Sequence, residues 1–348
     1  MEMFSMDYTE LDETVKQLFS TGDMLSFSDI ICGLLDGEIP LGEVWSLLKA
    51  SGYQGLCYGI TGVKELIFIA IVAAVFFILS KTGRLGQAAQ TGFFVTYLLI
   101  VAGTFRIFDL SREIVDGALT ALLEFMKVLL PAYCTGITIA SGSFSSSVFY
   151  SVTMLGIGVV SVVLRNVVLP MIGLYFLLSA LNRILEEDFL SKLAGLFYSV
   201  AEGLMKISLA GVLGIGTVQG LIAPAADAVK RSALLKTAGA IPVVGDLLSG
   251  TSQTVLAAGV LLKNAIGAAG AIVIFLLCLI PLLRVGIAHF GLRFGAAVLQ
   301  PISDRRITDC LGYAAKTHKL LLRLLLYTML LFLLMVVLIL ILTGGKGG

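Results

Sequence analysis

The polar groups that stand out in this chain are Arg284, His289 and Arg293, in and beside the apolar run Val285–Leu299. An arginine at the centre of a bilayer costs about 2.5–3.5 kcal/mol on insertion scales, so it normally faces protein or water. The two arginines are nine residues apart, about 13.5 Å along a helix. Two arrangements satisfy them. Each guanidinium can snorkel to a different headgroup layer, or both can line a polar cavity with His289.

Other chemistry is sparse. His318 is the one further histidine, and the five cysteines (Cys32, Cys57, Cys134, Cys278, Cys310) are scattered with no CxxC spacing. That pattern argues against a metal site. Neither a Walker motif nor GxSxG nor HExxH occurs. Gly214-Ile215-Gly216 has the wrong spacing for a dinucleotide fingerprint. Paired carboxylates fall in polar connectors, where solvation accounts for them. The sequence therefore nominates no catalytic residue, no cofactor and no metal ligand. A Cys32–Cys57 disulfide is open if the N-terminal segment is extracytoplasmic.

The elements that would position these groups are membrane helices. The 348 residues are 58% hydrophobic and 14% charged, with a mean hydropathy of +1.00. Ordinary soluble domains carry about 25% charged residues, and the apolar runs reach the roughly 20 residues a spanning helix needs. Charge is lopsided. Residues 1–65 hold 11 of the 23 acids and 3 of the 24 bases, a net of −8, and the remainder carries +9. No basic stripe interleaved with aromatics appears in a polar segment, which argues against nucleic-acid binding.

Residues 1–62 read as acidic amphipathic helices, with Leu11, Val15, Leu18 and Phe19 at helical spacing. Ser28 is placed to cap a helix starting at Asp29, and Pro40 suits a first turn. The segment serves either as a cap on the membrane body or as a docking surface. It has neither the basic n-region nor the apolar h-region of a signal peptide. Residues 63–130 give two spans (Glu65–Ser80 and Thr91–Phe108) and an interfacial helix bearing Asp109, Arg112, Glu113, Asp116, Glu124 and Lys127. Val148–Leu164 and Val167–Leu181 read as a tight pair turning at Arg165-Asn166. Later spans are Leu204–Ala223, Ala265–Leu283, Val285–Leu299 and Leu324–Leu342. The last is nearly pure aliphatic and is expected to face lipid, with a basic connector Asp304–Arg323 before it.

A shift of 111 residues lands Pro131 on Pro242 and Pro170 on Pro281, each preceded by Leu or Ile. This defines repeat 1 (131–223), a connector (224–241), repeat 2 (242–343) and a tail (344–348). Lys81, Arg84, Lys230, Arg231, Arg305 and Arg306 serve as cytoplasmic anchors under the positive-inside rule. They fit eight spans within a range of six to eight. Three spans per copy make the repeats inverted, a transporter-like architecture with its site at the repeat interface. The expected fold is thus an all-α polytopic membrane protein with an inverted 3+3 repeat and a small N-terminal helical segment. The polar segments 131–147 and 242–258 are then re-entrant, or else plain loops. Pro131, Pro170, Pro242, Asp246, Pro281, Arg284, His289 and Arg293 are the structural or pore-lining candidates.

Four stretches carry a family resemblance: Gly216–Asp227 (GTVQGLIAPAAD), Ala240–Gly250 (AIPVVGDLLSG), Gly259–Gly270 (GVLLKNAIGAAG) and Phe290–Asp309 (FGLRFGAAVLQPISDRRITD). Together they resemble the stage III sporulation protein AE family of endospore formers, from about residue 30 onward. The resemblance implies a multi-pass protein of the mother-cell membrane around the forespore, within a multiprotein channel joining the two cells. Implied partners are the ring-forming stage III sporulation proteins, a secretion-type ATPase, the forespore stage II sporulation protein Q, and membrane lipid. It transfers no catalytic residues. A standalone secondary transporter is the alternative reading, motivated by the repeat. An intramembrane enzyme is a third, disfavoured by the missing catalytic constellation.

Overall fold

A computed structural model describes residues 9–19, 26–36, 41–81, 86–141, 145–184, 189–238 and 245–344. Side chains are described for these except 41, 43–48, 50–60, 80–81, 86, 136–141, 145–150, 183–184, 219–238, 245–259 and 342–344. The described residues contain helices and short turns and no strand. In chain order they form α1 (Thr9–Phe19), α2 (Phe27–Asp36), α3 (Leu41–Lys81), α4 (Gly86–Ser141), α5 (Ser145–Val162), a π-helical turn (Val163–Val168), α6 (Leu169–Ile184), α7 (Ser191–Ala238), α8 (Gly245–Leu299) and α9 (Arg305–Gly344).

Among the described residues, six stretches are long and apolar enough to cross a bilayer: Thr61–Leu79, Gln87–Thr135, Ser151–Asn182, Ser191–Val218, Val260–Leu299 and Arg305–Ile341. This is the low end of the six-to-eight range, and the reason is local. The pair expected at Val148–Leu164 and Val167–Leu181 is one helical path, because Arg165-Asn166 is absorbed by the π turn between α5 and α6 instead of reversing the chain. Ala265–Leu283 and Val285–Leu299 likewise merge within α8, which runs through Pro281. Proline is tolerated inside membrane helices, where neighbouring helices and local adjustments satisfy the freed carbonyl. Pro131 sits inside α4 in the same way. The segment 109–130 is the middle of α4, not a separate interfacial helix, and the basic stretch after Asp304 is the first half of α9.

Side-chain pairings fix the direction of each spanning helix. Gly62 meets Ile107, and Gly92 meets Phe76, so α3 and α4 are antiparallel. Gly291 on Val63 and Gly295 on Ile67 make α8 parallel to α3. Thr104–Cys310 and Ser111–His318 make α9 parallel to α4. Asp116–Arg165 and Phe108–Phe176 make α5–α6 antiparallel to α4. Tyr198–Arg323 and Gly216–Leu338 make α7 parallel to α9. The bundle therefore alternates up and down six times. The shifted copies, α5–α7 and α8–α9, run in the same direction. Three crossings per copy was the premise of the inverted arrangement, and the continuous helices give two. Cysteines placed at Ser146 (start of α5) and Ser249 (start of α8) are expected to react with an impermeant maleimide from the same side of the membrane; labelling from opposite sides would contradict these directions.

The core explains α9. Leu324, Leu325, Leu331, Phe332, Met335, Val336 and Ile339 are buried, and α9 packs chiefly against α8. A helix apolar on all sides suits an interior position as well as a lipid-facing one, and here only Leu326, Leu330, Val337 and Ile341 face outward.

The N-terminal helices dock on this bundle. Leu11, Val15, Phe27, Ile30 and Ile31 join its core, and Phe27 meets the edge of Phe125 on α4 with ring centroids 6.2 Å apart. The cap of α2 comes from Asp12 on α1. Its carboxylate accepts from the Ser28 backbone N–H at 2.9 Å, the Ser28 hydroxyl at 2.6 Å and the Ser26 hydroxyl at 2.8 Å. Ser28 is thus a donor to the cap and not the cap itself. A negative group at a helix N-terminus also meets the positive end of the macrodipole, and such caps are worth about 1 kcal/mol. Cys32 is an exposed free thiol, and the side chain of Cys57 lies outside the described residues.

Candidate functional site

Within the bundle, the described residues include a buried polar seam between α4, α8 and α9 and a charged belt at one height. In the seam, Thr104 donates to the Val101 carbonyl at 2.7 Å and lies 4.0 Å from the Cys310 sulfur. One face further along, Ser111 Oγ is 3.0 Å from His318 Nε2, and His318 Nδ1 is 2.8 Å from the Ala314 carbonyl. A carbonyl only accepts, so Nδ1 carries the proton. In the neutral ring Nε2 is then the acceptor, and the Ser111 hydroxyl donates to it. The same logic puts a proton on His289 Nδ1, 2.8 Å from the Ala315 carbonyl. His318 is fully buried, and His289 and Ser111 nearly so. These groups satisfy one another and pin three helices in register, with Ser111 and His318 both buried.

The belt follows from the same registers. Arg165 on the π turn grips Asp116 on α4 with two hydrogen bonds, Nε at 2.7 Å and Nη2 at 3.0 Å. Extending the Ser111–His318 pairing by five residues brings Arg323 level with Asp116. Arg323 Nη1 reaches Glu202 at 3.1 Å and the Tyr198 hydroxyl at 3.0 Å, and Glu202 also holds Lys206 at 3.3 Å. Running the antiparallel Tyr133–Gly267 contact on by seventeen residues brings half-buried Arg284 to the same height. Asp109 and Arg112 pair at 3.2 Å two turns above Asp116 on α4. The places where the sequence broke two long apolar runs, Arg165-Asn166 and Arg284, are therefore one layer of charge crossing several helices.

The candidates read from the sequence separate accordingly. His289 belongs to the seam and Arg284 to the belt. Arg293 is exposed about nine residues further along α8. Pro131 and Pro170 are exposed on α4 and α6, and Pro281 is half-buried in α8. Pro242 lies outside the described residues, as does the side chain of Asp246. Among the topology anchors, Lys81 at the end of α3 and Arg305 and Arg306 at the start of α9 share one end of the bundle. Arg84 falls between α3 and α4, outside the described residues. Lys230 and Arg231 lie in α7 beyond the end of its Ser191–Val218 span, toward the opposite end. With six spans, the low end of the expected range, they fall there.

The sequence reading named His318 only in setting aside a metal site, and singled out neither Ser111 nor Lys263, the last only 2% exposed on α8. The signal for His318 was available: a histidine seven residues beyond Leu311 on an otherwise core-facing stripe. No signal in one sequence could pair it with Ser111, 207 positions away. Among the described residues no group of three or more His, Cys, Asp or Glu could hold a metal ion.

Comparison with known proteins adds a family. The model for "Stage III sporulation protein AE (spore_III_AE)" matches residues 25–343. A similar protein is Stage III sporulation protein AE of Bacillus subtilis (strain 168), 24% identical over 253 residues, covering 72% of this chain and 63% of that protein. The chain thus aligns with rather less than two thirds of its relative's length. No solved structure matches.

Proposed function

Because the chain belongs to the Stage III sporulation protein AE family, we propose that it is a non-enzymatic, multi-pass component of a transenvelope channel joining mother cell and forespore, seated in the mother-cell membrane around the forespore. Its partners there would be other stage III sporulation proteins and the stage II sporulation protein Q side of the assembly. The end carrying Lys81, Arg305 and Arg306 would be cytoplasmic, and α1 and α2 extracytoplasmic.

One observation favours an assembly component over a standalone transporter: the outward apolar surface is too tall for one bilayer. On α3, Phe68, Ile71, Val75, Ile78 and Leu79 are exposed. By the α3–α4 register they lie beside residues 90–101 of α4. On α9, Leu326, Leu330, Val337 and Ile341 are exposed, and by the Ser111–His318 register they lie beside residues 119–134. From 90 to 134 a helix rises about 65 Å, against a hydrocarbon core of about 30 Å. Tilt cannot absorb the difference, since spanning helices rarely tilt beyond about 40°. The charged belt lies between the two apolar layers. One layer fits in lipid with the belt at its headgroups; the other needs protein cover, which a multiprotein channel supplies.

The test is recovery from sporulating cells. An affinity-tagged chain extracted in mild detergent is expected to bring down other stage III sporulation proteins. A stable lone monomer that moves a solute in liposomes would establish the transporter reading instead.

A further inference from the structure

A cavity of about 430 Å³ opens between the end of α6, the start of α7 and the first half of α9. Its wall is aromatic: Tyr175 and Tyr198 meet edge to face with ring centroids 5.4 Å apart, and Tyr313 stands opposite on α9. Its floor is polar and buried, with Ser179 at 5% and Asn182 at 7% exposure. Asn182 Oδ1 is occupied, accepting from the Leu190 backbone N–H at 2.9 Å, which ties the α6–α7 turn to the cavity. Two cations line the mouth, Lys316 and Lys319. Lys316 Nζ lies 5.1 Å from the Tyr313 ring centroid.

The charges around the cavity are divided unequally. Arg323 is committed to Glu202 and to the Tyr198 hydroxyl, so it orients the aromatic wall. Neither Lys316 nor Lys319 has a carboxylate partner among the described residues. The acids of the α6–α7 connector, Glu186, Glu187 and Asp188, lie outside them. Leu177 and Leu181 on α6 and Leu193 and Leu196 on α7 are exposed on the faces turned away from the cavity, and Phe189 is exposed at the turn into α7. The site thus joins two cations to buried hydroxyl and amide groups, with the exposed Phe189 at the adjoining turn.

We propose that this cavity binds the phosphate ester of an anionic phospholipid, with Lys316 and Lys319 on the phosphate and the acyl chains leaving past the exposed Phe189 at the turn into α7. Basic pockets between membrane helices recognise anionic headgroups in this way, tyrosines favour the interface that such headgroups occupy, and the volume is that of a small-ligand site. An unesterified phosphate shares the headgroup chemistry and lacks the tails, so the two sources can be told apart.

The experiment uses the purified full chain in detergent, with native mass spectrometry of bound phosphatidylglycerol against phosphatidylcholine, and competition by inorganic phosphate. Phosphatidylglycerol is expected to be retained over phosphatidylcholine, and Lys316→Gln/Lys319→Gln to lower its retention at least about fivefold. Lys127→Gln, which removes an exposed lysine of α4, is expected to leave retention unchanged. Thermal unfolding of each variant checks that the bundle is intact. If inorganic phosphate binds with the same dependence on the two lysines and the lipid does not, the site takes free phosphate. Equal loss in the Lys127 variant, or no preference for either phosphate probe, overturns the proposal; so does tighter binding after Lys316→Gln/Lys319→Gln.

Discussion

Replacing His318 with alanine is expected to destabilise the protein by roughly 3 kcal/mol or more, the largest effect of a single polar substitution in the bundle. The imidazole is fully buried and holds both the Ser111 hydroxyl and the Ala314 carbonyl. Truncation leaves a cavity, which costs about 24 cal/mol per Å³. It also strands the Ser111 hydroxyl among apolar side chains, a further loss of about 1–3 kcal/mol. A pair of variants separates the two contributions. His318→Leu restores most of the volume and leaves the hydroxyl stranded; adding Ser111→Ala removes the stranded group. The double variant is expected to be more stable than His318→Leu alone, because removing both partners of a buried pair costs less than removing one. Unfolding midpoints in detergent, in denaturant or on heating, check the order. If Ser111→Ala fails to rescue His318→Leu, the hydrogen bond contributes nothing and packing alone matters.

How much of this was legible in the chain depends on range. Membrane class, the helical content and the acidic N-terminal helices follow from composition and from periodicity within a few turns, as Leu11 and Val15 illustrate. Helix number was harder. Arg165-Asn166 and Arg284 interrupt apolar runs, and interruption by charge is the usual sign of a loop. Here the charge is answered sideways, by Asp116 for Arg165, so the helix continues through it. That partner lies 49 residues away on another element, and a hydropathy window compares only neighbours. The direction of the two copies fell with the helix number, since parity carries no information of its own. The candidate site shows the same limit. His289 was visible because it interrupts an apolar run, whereas its carbonyl partner on Ala315 became visible only when α8 and α9 were packed together.

Reversing the charge of Arg165 is the second large expectation, and it bears on the belt rather than on the core. Arg165 and Asp116 are each more than a third exposed at the side chain, so the neutral change Arg165→Gln is expected to cost only about 1 kcal/mol, after allowance for solvent screening. Arg165→Glu does more. It places a second carboxylate where Asp116 accepts two hydrogen bonds, and like charges about 4 Å apart repel by up to roughly 4 kcal/mol at an effective dielectric of 20, which screening lowers to about half. The π turn gives the chain no slack to avoid this, because residues 163–168 continue directly into α6. The exchanged pair Asp116→Arg/Arg165→Asp restores opposite charges but not the two-pronged geometry of a guanidinium on the π turn, so it is expected to recover about half of the loss. Sporulation efficiency under complementation is expected to follow stability: near normal for Arg165→Gln, at least tenfold reduced for Arg165→Glu, and intermediate for the exchange. Equal effects of Gln and Glu at position 165 would show that Asp116 does not sense the charge there, and the belt would then be a row of independent solvated groups instead of a bonded layer.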